Sequence, residues 1–188
     1  NLGNTLKELG QLEAAVKSYE QALAIKPDYA EAHSNLGNTL NDLGQPEEAV
    51  KSYEQALAIK PDYAEAHYNL GATFQELRQR EEAVKSYEQA LAIKPDYAEA
   101  HSNLGVTLKE LGQLEEAVKS YEQALAIKPE YAEAHNNLGI TLQELGQLDA
   151  AVKSYEQALA IKPNYAEAHS NLGNTLKELG QLEAAVKS

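Results

Sequence analysis

Five histidines, His33, His67, His101, His135 and His169, recur along the chain, and imidazole is the side chain best suited to metal binding or proton transfer near neutral pH. Their spacing argues against both. Successive copies stand a whole repeat apart, too far to share a metal whose bonds are ~2 Å long. No H-x-x-x-H pair places two imidazoles on one helix face. His33 lies beside Leu36 and Leu40 on an apolar stripe, which reads as packing. Ser18 and its copies have no His or Cys nearby in sequence to activate them. Asn-Leu-Gly-Asn falls inside a helix, so it is no phosphate loop. Glu8, Asp42, Glu76, Glu110, Glu144 and Glu178 form one solvated column rather than an acid–base pair. The expectation is a chain that is not an enzyme and that uses no metal or cofactor.

Composition narrows the partners. Asp and Glu number 29 against 16 Lys and Arg, a net charge of −13. No basic face stands out, which argues against nucleic acid and anionic membrane. A protein or peptide partner, neutral to basic, suits this charge. Cysteine is absent, so disulfides and thiolate sites are excluded. No apolar run is long enough to span a bilayer and no leader is evident. Nothing sets the compartment, and a cytoplasmic one is the default expectation.

The elements that position these residues come from a repeat. Leu2, Leu36, Leu70, Leu104, Leu138 and Leu172 are each 34 residues apart, as are Pro27, Pro61, Pro95, Pro129 and Pro163. A fixed period of this length marks a stacked repeat architecture. The phase gives one array, 1–188, cut as 1–29, 30–63, 64–97, 98–131, 132–165 and 166–188, with the first and last partial. In 30–63, Leu36, Leu40 and Leu43 form one helical stripe, and Ala49, Val50, Tyr53, Ala56, Leu57 and Ile59 form a second. Gly44 stands where a left-handed helix end is wanted, and Pro46 opens the next helix. Lys60-Pro61 ends it. Asp62 and Glu65 predict a capping box for the following helix. Arg78 replaces the turn glycine in the third copy, which predicts strain if the turn needs a positive φ.

The order Leu36-Gly37, Ala49, Tyr53, Ala56, Pro61 resembles the tetratricopeptide repeat (TPR) over the whole chain. Ala-Glu-Ala-His-Ser-Asn-Leu-Gly is similar to the repeats of O-linked N-acetylglucosamine transferases and related bacterial proteins. His33 and Leu40 depart from the residues common in TPRs at large. The resemblance implies an all-α, alpha-alpha superhelix of antiparallel helix pairs. First helices would line its concave surface, where a partner segment binds.

Function is then read where the copies differ. The second helix repeats Val-Lys-Ser-Tyr-Glu-Gln-Ala-Leu-Ala-Ile-Lys-Pro unchanged from 16–27 to 152–163, so it is scaffold. On a helical wheel Leu40 and Leu43 fall within about 40° of Leu36, and Ser34, Asn38, Asn41, Asp42 and Glu31 fall opposite. The Asn38 column turns apolar at Ala72, Val106 and Ile140, and the Ser34 column carries Tyr68. These four predict an apolar strip inside a polar groove. Asn35, Asn69, Asn103, Asn137 and Asn171, with Asn1, stay fixed beside a changing neighbour. Under the glycosyltransferase resemblance they hold peptide backbone. From chemistry alone they could as well bridge adjacent first helices. Lacking clustered cations, the groove does not suit an acidic tail. Three functions stay open: a peptide-binding scaffold, the substrate-recognition arm of a larger glycosyltransferase or sulfotransferase, and a self-assembling or consensus-designed array stacking end to end through uncapped repeats.

Overall fold

The computed structural model describes residues 2–187, with side chains as far as Gly180. Asn1, which opens the asparagine column, the Val186 side chain and Ser188 lie outside the described residues. The described residues form α1 Leu2–Glu8, α2 Leu12–Ile25, α3 Ala30–Asp42, α4 Pro46–Ile59, α5 Ala64–Glu76, α6 Arg80–Ile93, α7 Ala98–Glu110, α8 Leu114–Ile127, α9 Ala132–Glu144, α10 Leu148–Ile161 and α11 Ala166–Lys187. The fold is all-α, as the apolar stripes predict.

The chain divides into two compact units, with the boundary after Pro95. In the first, α1 pairs with α2, α3 with α4 and α5 with α6, and successive pairs stack through α2 on α3 and α4 on α5. In the second, α7 pairs with α8, α9 with α10, and α10 packs on α11. A single hairpin cannot bury its own apolar stripe, so each pair depends on the next.

Small residues set how closely the helices approach. Ala49, Ala83, Ala117 and Ala151 are 0% exposed at the crossings. A Cβ added to Gly37 would stand 2.8 Å from the Tyr53 ring, and one on Gly139 would stand 2.6 Å from that of Tyr155. The invariant glycine of the first helix is therefore the seat of the invariant tyrosine of the second. Leu36, Leu40, Tyr53 and Leu70 complete the core of the first unit.

The turn within each pair follows its chemistry. Gly44 has φ 73°. Gln45 N–H bonds Leu40 O at 2.9 Å and Gly44 N–H bonds Asn41 O at 2.9 Å, the two bonds of a Schellman close. Arg78 takes the same turn at φ 59°, so the positive φ expected of a glycine is forced on an arginine.

Three expectations are corrected. No capping box forms: α5 starts one residue later than the Asp62–Glu65 reading requires, its N-cap is Tyr63, and no side chain caps it. The free N–H groups of Ala66 and His67 turn instead to Tyr63 O, at 3.0 and 3.1 Å. The copy at 166–188, whose Gly180 matches the turn residue Gly44 in phase, does not turn there, because α11 runs on to Lys187. Glycine permits a left-handed turn without compelling one. Finally, the histidines do more than pack. His33 Nε2 lies 2.9 Å from Pro27 O, and His67, His135 and His169 repeat the contact. A carbonyl only accepts, so Nε2 carries the proton and pins the inter-repeat turn to the helix after it.

Candidate functional site

The open face of the first helices is displaced from where the wheel puts it. Ser34, Ser102 and Asn136 are 2%, 3% and 0% exposed, so at these three copies the column is interior and not groove, while Ser170 is exposed. A first helix is covered on more than one side, by its own partner and by its neighbours, and small polar residues fit those close contacts. Burial is thus not confined to the leucine stripe. Tyr68, half-buried in the same column, packs its ring 5.9 Å from that of Tyr87. Glu31 and Glu65 also leave the groove reading, since they pair with Lys60 and Lys94 at the helix ends.

What stays open is the stripe of residues 35, 38, 41 and 42 and its copies. In the first unit it forms a cleft of about 180 Å³ lined by Lys7, Asn38, Asn41, Asp42, Tyr53, Asn69, Ala72 and Thr73. Asn69 and Ala72, both expected to bind, lie in its wall.

The cleft is held together by amides. Asn69 Nδ2 donates to Asn38 Oδ1 at 2.9 Å, and the same oxygen accepts the Tyr53 hydroxyl at 2.7 Å. Asn35 makes a longer approach to Asn4, 3.4 Å, and Asn4 also accepts the Tyr19 hydroxyl. So these asparagines bridge successive first helices. Bridging uses one N–H of each amide, and the side chain carries a second N–H and a carbonyl oxygen besides. In the second unit Asn171 donates to the buried Asn136 at 3.1 Å. Asn103 and Asn137 are half-buried, and their carbonyls accept the hydroxyls of Thr107 and Thr141. Val106 and Ile140 are half-buried in the second unit, while Tyr68 and Ala72 belong to the first.

The column at 38 has a second task that sequence reading missed. Each second helix sends a buried tyrosine hydroxyl towards the first helix, and each hydroxyl wants an acceptor. Asn4 and Asn38 serve Tyr19 and Tyr53. Where that position is Ala72 or Ile140, a glutamine one turn on takes over: Tyr87 bonds Gln75 at 3.0 Å and Tyr155 bonds Gln143 at 3.2 Å. The fourth copy has Val106 and Lys109 there, and the Tyr121 hydroxyl is buried without a hydrogen-bond partner. Its polar neighbour is Thr141, whose hydroxyl donates to Asn137 O at 2.8 Å. The signal was legible: glutamine follows an apolar residue at 75 and 143 but not at 109.

Charge on this face is compensated in part. Lys7 lies 3.0 Å from Asp42 and Lys109 3.5 Å from Glu144. Among the described residues no cluster of His, Cys, Asp and Glu could hold a metal ion, and no helix is long and apolar enough to cross a membrane.

A family described as TPR repeat matches residues 3–44, 37–77, 79–112, 107–146 and 142–180. The chain belongs to the tetratricopeptide-repeat family. This TPR chain is similar to the crystal structure of MamA, at 28% identity and a TM-score of 0.83, covering 89% of this chain and 98% of that one. It is similar to YrrB, "a TPR protein with an unusual peptide-binding site", at 26% identity and a TM-score of 0.79, over 90% and 88% of the two chains. It is also similar to a thermophilic TPR protein of Thermus thermophilus, TTC0263, at 28% identity and a TM-score of 0.69, over 93% and 95%. A comparison with curated proteins finds no match. TPR proteins bind protein partners, and this TPR chain shares their solenoid of helix pairs.

Proposed function

We propose that the chain is a non-catalytic interaction scaffold that holds an extended peptide, neutral to basic, along the open face of its first helices. The observation that carries this reading is the cleft in which Asn38 and Asn69, locked to each other at 2.9 Å, stand beside the small apolar Ala72. Oriented amides suit peptide backbone, because each can donate and accept without reading side chains. Bridging also pre-orders them, which lowers the entropy lost on binding. In the first unit Asn35 would extend the grip, and in the second Asn103, Asn137 and Asn171 would offer the same amides on that unit's own first helices. Tyr68, Val106 and Ile140 would add apolar contacts. That YrrB, a similar chain, is described as having a peptide-binding site supports a peptide as the partner.

Peptide-array binding tests the reading. The expected result is selective binding of extended segments, weakened by Asn69→Ala, Tyr68→Ala and Val106→Lys. Binding at background, or binding indifferent to all three changes, would contradict it.

A further inference from the structure

Asp42, in the wall of the first unit's cleft, and Glu76, bonded to the wall residue Asn41, are treated differently. Asp42 is neutralised by Lys7 at 3.0 Å. Glu76, one repeat on, is held by an uncharged group: Asn41 Nδ2 donates to both of its oxygens, at 3.0 and 3.2 Å. Among the described residues no cation pairs with Glu76. Asn41 makes this contact although its own Oδ1 is left buried without a partner. Leaving an acceptor orphaned is costly, so the amide is committed to orienting the carboxylate. The alternation recurs in the second unit, where Lys109 neutralises Glu144 and Gln143 Nε2 holds Glu178 at 3.2 Å. An amide fixes a carboxylate in place and leaves its charge standing. Held by Asn41, which lines the cleft, in a chain of net charge −13, such a group is complementary to a cation.

We infer that Glu76, oriented by Asn41 at the rim of the Lys7–Asn38–Asn69 cleft, is a specificity determinant that takes a lysine or arginine side chain of the bound segment. This rests on the peptide-binding reading above and adds the side chain that the face selects. The geometry divides the labour: amides hold backbone, and Glu76 reads charge. The ion-paired Asp42 contributes little selection, because its charge is already met.

The test uses the whole 188-residue chain. Acetyl-Gly-Ser-Arg-Ser-Gly-amide is titrated at millimolar concentration, followed by the same peptide with citrulline or glutamate in place of arginine. Binding is read from the side-chain amide resonances of Asn38, Asn41 and Asn69. The arginine peptide is expected to bind about threefold more tightly than the citrulline peptide, the scale of a partly exposed ion pair. The preference should vanish in Glu76→Gln and persist in Glu54→Gln, an exposed acid on α4; thermal melts check that both variants fold. Equal binding of the arginine and citrulline peptides at the cleft would overturn the inference and leave the peptide-binding reading intact. Loss of the preference in both variants would assign it to the general negative field and overturn it too. No resonance shift from any of the three peptides would count against the reading itself and take the inference with it.

Discussion

Val106 shows what a single residue decides. In four copies a side-chain oxygen meets the hydroxyl of the second-helix tyrosine; in the fourth, Val106 and Lys109 supply none. Val106→Asn restores the arrangement of Asn38 and should raise stability by ~1 kcal/mol, the usual net worth of one buried hydrogen bond. The reciprocal Asn38→Val strands the Tyr53 hydroxyl and should lower stability by ~1–3 kcal/mol. Urea denaturation reads both, and a lower midpoint for Val106→Asn would contradict the assignment. At this scale sequence reading found the asparagine column and its two uses, and the structure shows the bridging use at Asn35, Asn69 and Asn171. It read position 38 as groove variation alone, because a wheel shows which way a side chain points and not which hydroxyl approaches it from another helix. Ser34 was misplaced for a related reason: hydrophobicity marks the leucine stripe, while small polar residues at close helix contacts carry no such mark.

Among the elements, the helix pair and its turn were the most legible. Leu36, Leu40 and Leu43 set one helix, Pro46 opened the next at its first turn, and the positive φ at Gly44 followed from its place. Arg78 makes that last point measurable. A non-glycine residue held at φ 59° costs ~1–2 kcal/mol, so Arg78→Gly should stabilise the first unit by about that amount in thermal or urea unfolding. An unchanged or lower midpoint would show that Arg78 makes a compensating contact. Gly37→Ala should act oppositely, losing ~1–3 kcal/mol, because its Cβ would meet the Tyr53 ring at 2.8 Å and the ring has no room to retreat in a packed core. What stayed illegible was the helix start. Asp62 has the right chemistry for a cap, but the inter-repeat turn spends one more residue and hands the place to Tyr63. The run of α11 through Gly180 was illegible for another reason, since a glycine's freedom does not say whether it is used.

For the molecule as a whole, burial of the tyrosines couples stability to alkaline pH. Burial pushes Tyr155 from its ordinary 10.0 up to about 12; the Thr175 hydroxyl opposes the shift, and Glu144 and Glu167 add to it. Tyr53 and Tyr121 move in the same direction, again chiefly through burial. The folded chain therefore favours the neutral phenol, while the unfolded chain ionises near 10.0. Their contribution is fully present below that pH; that of Tyr155 is lost as pH rises through about 12, and those of Tyr53 and Tyr121 are lost at still higher pH, so stability should fall above 10.0. Spectrophotometric tyrosine titration beside circular dichroism checks this. Ionisation of all the tyrosines near their ordinary value with helicity intact would refute it. The all-α fold and the family were legible because period and residue order survive in every copy. The partner was not, because the groups that would grip it are also structural bridges. Asn69→Ala separates the two roles: with an array-selected peptide, the account predicts at least about a tenfold loss of affinity with only ~0.5–1.5 kcal/mol of lost stability, whereas lost stability with affinity unchanged would contradict it.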